Sequence, residues 1–191
     1  AAAAQYLAVA AAIERERPDF RDLRPVMIHA QLLDTDQMDE TARLGVIPSF
    51  FIAHVYQWGD THIKNFGRER ASRISAAKAA LDRGIPFTFH QDTPVLSPDM
   101  LGTVWCAVNR VTKGGVTLGA EQRIPAEAAL RAVTVNAAHQ YFEEARRGSL
   151  RPGKAADLVL LDTDPLAVPH EKLRDIRVLE TIKAGETVWR A

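Results

Sequence analysis

The sequence predicts an α/β fold in which a parallel sheet is followed by a small β-module, and three observations lead there. Apolar runs at residues 25–30, 46–53 and 85–90 are too short for helices and unbroken enough to be buried strands. Segments with helical signals lie between and after them, so each strand is followed by a crossover that returns the chain in the same direction. Beyond residue 148 the pattern changes to closely spaced apolar and β-branched strands separated by turn residues. A TIM barrel and a doubly wound sheet both satisfy the first part, and both gather functional side chains at the C-terminal ends of parallel strands.

Each element has a local reason. The chain opens on four alanines and stays alanine-rich to Ile13, which predicts a helix. It reads as a chain entering a larger fold partway, and without a basic leading segment it is not a signal peptide. Asp34, with Gln37 three residues on, predicts a capping box, and Gly45 predicts where that helix stops. Pro48 stands near the start of the second strand. A polar stretch rich in His, Trp and Asp follows and is expected to be a loop. Residues 68–83 predict one amphipathic helix closed by Gly84, and Ser97 with Pro98 predicts the cap and first position of the next. Residues 125–142 predict two short helices, with Pro125 in the first turn of one and Thr134 capping the other. In the tail, a turn from Gly148 feeds a strand ending near Leu161, and strands at 176–182 and 186–189 are joined by a turn at 183–185.

Composition narrows the functional classes. Lys plus Arg equals Asp plus Glu at 24 each, which removes any charge-driven case for nucleic acid or an anionic membrane as partner. The single cysteine, Cys106, excludes an internal disulfide and a multi-cysteine zinc cluster, and suggests a cytoplasmic setting. It is expected to be a small buried hydrophobe on a helix. No apolar run approaches the roughly 20 residues of a membrane-spanning helix.

The residues with chemical capacity fall at strand ends. His29, His54 and Asp92 each follow a strand, so one end of the sheet can gather two imidazoles and a carboxylate, a set suited to zinc or a related divalent metal. A carboxylate beside a metal can also take a proton from water. His62 and His90 are candidates for supporting or substrate contacts. Plainer roles compete: a histidine after a strand is commonly structural, and Asp92, followed by Thr93 and Pro94, suits a turn. Tyr56 and Trp58 either cover the rim of the sheet or form an apolar wall for a substrate. His139 and His170 are expected at the surface.

Four segments together resemble a known family. They are Ile28-His29-Ala30-Gln31, the stretch from His54 to His62 containing Tyr56, Trp58 and Asp60, Phe89-His90-Gln91-Asp92-Thr93-Pro94-Val95, and the tail from Gly148 through Asp157-Leu158-Val159. In these the chain resembles the amidohydrolase superfamily, and within it the amidohydrolase-3 (YtcJ-like) branch of metal-dependent hydrolases. The resemblance covers about residues 5–190. It implies that residues 1–147 are the C-terminal part of a TIM (β/α)8 barrel, strands 6–8, and that 148–191 are the C-terminal strands of a small β-sandwich. It implies His29 and Asp92 as ligands of a divalent metal, zinc by preference and one or two ions. Asp92 would also act as general base and acid, and His54 would polarise the scissile carbonyl or bind substrate. Tyr56, Trp58, His62 and His90 would line the substrate site. Two positions depart from the family pattern: Gln91 stands where a small residue is common, and Ile28 where Glu is frequent.

The expected activity is hydrolysis of a C–N bond in a small amide or N-substituted amide. A cyclic amide, a deamination or an ester remains an alternative within the same chemistry, and a non-catalytic binding module an alternative outside it. The family's first strand carries His-x-His, and its fourth and fifth strands carry further ligands. None of these has a counterpart here. The expectation is therefore a partial enzyme, inactive until the N-terminal barrel half is supplied by the same polypeptide or a second chain, with a homo-oligomer as one way of covering open edges.

Overall fold

The structure, a computed structural model, describes residues 1–191. Helix α1 (Ala2–Glu16) leads through a 3-10 turn (Phe20–Leu23) into strand β1 (Val26–His29), helix α2 (Thr35–Leu44) and strand β2 (Ile47–Phe50). Helices α3 (His54–Phe66), α4 (Arg68–Ser72) and α5 (Ala77–Asp82) then precede strand β3 (Thr88–Phe89). The three strands form one parallel sheet in sequence order, with Val26 beside Ile47 and Phe50 beside Phe89. Helices α6 (Met100–Asn109), α7 (Ala126–Val133) and α8 (Val135–Gln140) follow. The last part is an antiparallel sheet of β4 (Leu158–Leu161), β5 (Val178–Lys183) and β6 (Glu186–Arg190), with the 3-10 segment His170–Asp175 between β4 and β5. The fold is α/β, as the alternation of strand and helix signals predicts.

The caps explain several boundaries. Asp34 accepts the backbone N–H of Gln37 at 2.8 Å while the Gln37 side chain answers the Asp34 N–H, the expected capping box, and Gly45 ends α2 at φ 67. A residue with a Cβ would be strained there. The next cap differs from expectation: α6 starts at Met100, because the Asp99 carboxylate, not Ser97, accepts the N–H of Gly102. Thr134 occupies the cap position of α8, but its hydroxyl donates backwards to Leu130 O at 2.7 Å and caps nothing.

Two larger differences concern the middle of the chain. The polar stretch from His54 is not a loop but helix α3, which starts without a side-chain cap at Ala53. The single helix expected over 68–83 is two helices broken at residues 73–76. Ser75 sits at φ 48 in the break, and its N–H donates to Gln31 O at 2.9 Å. Arg110, fully buried at the end of α6, reaches into this break. Its guanidinium donates to Ser72 O, Ile74 O and Ser75 O, and also to Leu118 O. The three bonds to residues 72–75 replace helical ones that a continuous segment would have made. Burial draws the Arg110 pKa down to about 10.

The core runs between the parallel sheet and the helices around it, from Leu7 of α1 through Met38, Phe50, Phe87 and Val104 to Leu173. Every residue of β2, the central strand, is buried. Its neighbours each keep one edge without a strand partner, and Ile28 on β1 is 56% exposed. The antiparallel sheet is more open, with β6 exposed at every position and Val188 and Trp189 uncovered. Cys106 is buried on α6, its thiol donating to Ile52 O at 3.2 Å, and His170 is exposed. His139 is half-buried instead of free at the surface, its Nδ1 3.7 Å from Glu144. No helix is long and apolar enough to cross a membrane.

Candidate metal-binding and catalytic site

The site grows from the C-terminal ends of the three parallel strands. His29 is the last residue of β1, and Asp92 follows β3 by three residues. Both stand in the left-handed region, His29 at φ 66 and Asp92 at φ 52, and Ala30 beside His29 at φ 45. Non-glycine residues there cost on the order of 1–3 kcal/mol each and gather where a fold holds side chains for function. The result is that His29 Nε2 and Asp92 Oδ2 lie 4.0 Å apart, with both side chains nearly half exposed.

Three more imidazoles surround this pair. His90, two residues before Asp92, has its ring centroid 5.0 Å from that of His29, and its Nδ1 is 2.9 Å from Ser49 Oγ on β2. His54 opens α3 with its ring 6.4 Å from His29. His62 lies two turns further along α3, its Nε2 3.2 Å from His54 Nδ1 and 3.3 Å from Gln31 Nε2. Trp58, between them on the same helical face, packs on both His54 and Phe51. The spacing 54, 58, 62 is one stripe of a helix, and it continues to Phe66, stacked on His62.

Burial keeps these imidazoles neutral. His54 is drawn down to about 4, first by burial and then by the neighbouring His62, His29 and His90, with Asp92 acting in the opposite direction. His62 and His90 are lowered by burial, His90 also by His29. Neutral imidazoles are the form that ligates a metal or accepts a proton.

Tyr56 is not part of this gathering. It lies on another face of α3, edge-on to Trp105 of α6 and under Lys113, so of the two aromatic wall candidates only Trp58 adjoins the histidines. Gln31, Ser49 and Phe51 touch the cluster and were not singled out as individual site residues. Ser49 carried a signal, being a lone polar residue inside an apolar strand; Gln31 and Phe51 needed the third dimension.

A divalent ion fits here as half of a site. Two donors each about 2.1 Å from one ion are at most about 4.2 Å apart, and about 3.4 Å at a tetrahedral angle, so a 4.0 Å pair bridges an ion with a small inward shift. No third His, Cys, Asp or Glu completes a ligand group with them. His90 Nε2, however, is buried with no hydrogen-bond partner, an orphan imidazole nitrogen beside the pair.

Comparison with known proteins now places the chain. The profile of the amidohydrolase family matches residues 1–189, and the chain belongs to that family. N-substituted formamide deformylase of Arthrobacter pascens is 29% identical over 158 residues, 82% of this chain and 29% of that protein. YtcJ of Bacillus subtilis is 26% identical over 169 residues, 85% of this chain and 31% of that one. Among solved structures, an uncharacterized metal-dependent hydrolase from Pyrococcus horikoshii superimposes with a TM-score of 0.66 at 28% identity, covering 77% of this chain and 30% of its own. The chain thus spans about a third of the length of these relatives, and its matches support a hydrolase.

Proposed function

We propose that this chain forms part of a metal-dependent hydrolase that cleaves the C–N bond of small amides, N-substituted amides included. The observation that carries this reading is the His29–Asp92 pair, 4.0 Å apart at the C-terminal edge of a parallel sheet with three neutral imidazoles around it. His29 and Asp92 would hold a divalent ion, zinc by donor chemistry. When bound, such an ion lowers the pKa of water toward neutrality and polarises a carbonyl. Asp92, nearly half exposed, accepts the proton of the attacking water through its other oxygen and delivers it to the departing nitrogen. His54 contacts the substrate beside that pair, with Trp58 as an apolar wall and His62 and His90 behind them.

The same reading makes residues 1–147 the last three strands of a TIM barrel and 148–191 part of a β-sandwich. The unpaired edges of β1 and β3 support a barrel, and the exposed β6 a sandwich, completed by further chain, in the same polypeptide or another. The test is hydrolysis by the native, zinc-loaded protein of an N-substituted formamide, a simple secondary amide, an ester and an aminopurine. Amide cleavage abolished by Asp92→Asn is the expected result. Turnover confined to the ester or the aminopurine would refute the C–N assignment, and activity surviving Asp92→Asn would refute the site.

A further inference from the structure

The contacts of His62 carry an inference about its neighbours. His62 Nε2 meets two nitrogens, His54 Nδ1 at 3.2 Å and the amide nitrogen of Gln31 at 3.3 Å. With its amide nitrogen on this side Gln31 donates, and the atom facing it then offers a lone pair. His62 Nε2 is then unprotonated, and His62 carries its proton on Nδ1. That single lone pair also faces His54 Nδ1, and a protonated Nδ1 there shares it as a second donor, whereas an unprotonated one would set two lone pairs against each other.

We propose that Gln31 is a positioning residue that, acting through His62, fixes His54 as its Nδ1–H tautomer and leaves Nε2 as a lone-pair nitrogen. The proposal rests on the preceding reading only for its consequence in the reaction. In that tautomer His54 cannot donate a hydrogen bond to a developing oxyanion. It accepts one instead, from an N–H or O–H of the substrate, and the substrate class it favours is an amide retaining an N–H. The arrangement is held from both sides. Gln31 follows the left-handed turn at His29 and Ala30, and its backbone carbonyl is gripped by the Ser75 N–H at 2.9 Å. His62 is clamped between His54 and the stacked ring of Phe66. The Nδ1 of His62, which carries the proton in this arrangement, is buried without a protein acceptor, a cost that the two contacts at Nε2 have to offset.

The test reads protons on nitrogen directly. Long-range proton–nitrogen correlation spectra of histidine-labelled protein at neutral pH distinguish the two neutral tautomers of each imidazole without any turnover. The expected result is a protonated Nδ1 at both His54 and His62. In Gln31→Glu the carboxylate accepts from His62 Nε2–H, and His54 is expected to switch to its Nε2–H form. A wild-type His54 protonated on Nε2 overturns the proposal whatever the variant does. So does a Gln31→Glu protein that leaves the His54 tautomer unchanged. Because neither readout involves catalysis, failure to hydrolyse amides would count against the preceding reading alone.

Discussion

Replacing Arg110 with Met removes the largest fully buried side chain and the only group tying residues 72–75 to the end of α6 and to Leu118 by side-chain hydrogen bonds. Four backbone carbonyls lose a charged donor. Ser75 O keeps a second partner in the N–H of Ala77 at 2.8 Å. Bonds from a charged donor contribute roughly 1.5–3 kcal/mol each, but they share one guanidinium and do not add. Burying that charge also costs energy, which Met recovers in part. The net loss is therefore about 3–5 kcal/mol, a large share of the roughly 5–15 kcal/mol that holds a domain together. Equilibrium urea unfolding followed by circular dichroism measures it as a fall in midpoint at unchanged slope. Arg110→Lys is expected to recover little, because an ammonium cannot reproduce a fork directed at four separated carbonyls. A loss below about 1 kcal/mol in Arg110→Met would show that the break between α4 and α5 does not depend on this side chain.

Other perturbations test neighbouring parts of the account. Gly119 has φ +70, and a Cβ there would lie 2.0 Å from Ser72 O, so Gly119→Ala is expected to lower thermal stability by more than about 1 kcal/mol; an unchanged melting temperature would contradict the close approach. Glu144 pairs with Arg24 through 2.9 Å and shorter contacts, and the guanidinium hydrogen bonds hold its carboxyl down at about 2 from an ordinary 4.5. A carboxylate with a depressed folded pKa contributes stability above its unfolded value and loses it as pH falls toward the folded one. The advantage of wild type over Glu144→Gln should therefore be complete above about pH 4.5 and shrink between there and pH 2; a difference independent of pH across that window would refute the pairing.

Local chemistry made much of the fold readable. Asp34, Gln37 and Gly45 act within a few residues of one another, and the helix they bound is where they place it. The three parallel strands were readable because each is an apolar run short enough to exclude a helix. Helix α3 was not, because it starts at Ala53 with no capping side chain and carries Gly59 in its middle. Its signal was present in another form, as the aromatic and imidazole stripe Phe51, His54, Trp58, His62 and Phe66. The break at residues 73–76 was invisible locally, since Arg110, more than thirty positions away, draws off the carbonyls that would have continued the helix.

The candidate site divides the same way. His29, His54, His90 and Asp92 converge because strand ends converge in any parallel sheet, and sequence position suffices to say so. Tyr56 and Trp58 look equivalent in a presumed loop, but on a helix two positions apart they face about 200° from one another, so one meets His54 and the other Trp105. The link from Gln31 to His62 joins two segments that only the packing of α3 over the end of β1 brings together.

The functional reading depends on His29 and Asp92 sharing one divalent ion. Anomalous diffraction at the zinc edge, from crystals of the native protein equilibrated with zinc, tests it most directly. The account predicts a peak about 2.1 Å from both His29 Nε2 and an Asp92 carboxylate oxygen, lost in His29→Ala and in Asp92→Asn crystals. An ordered zinc bound elsewhere, with these two side chains left free, would contradict it.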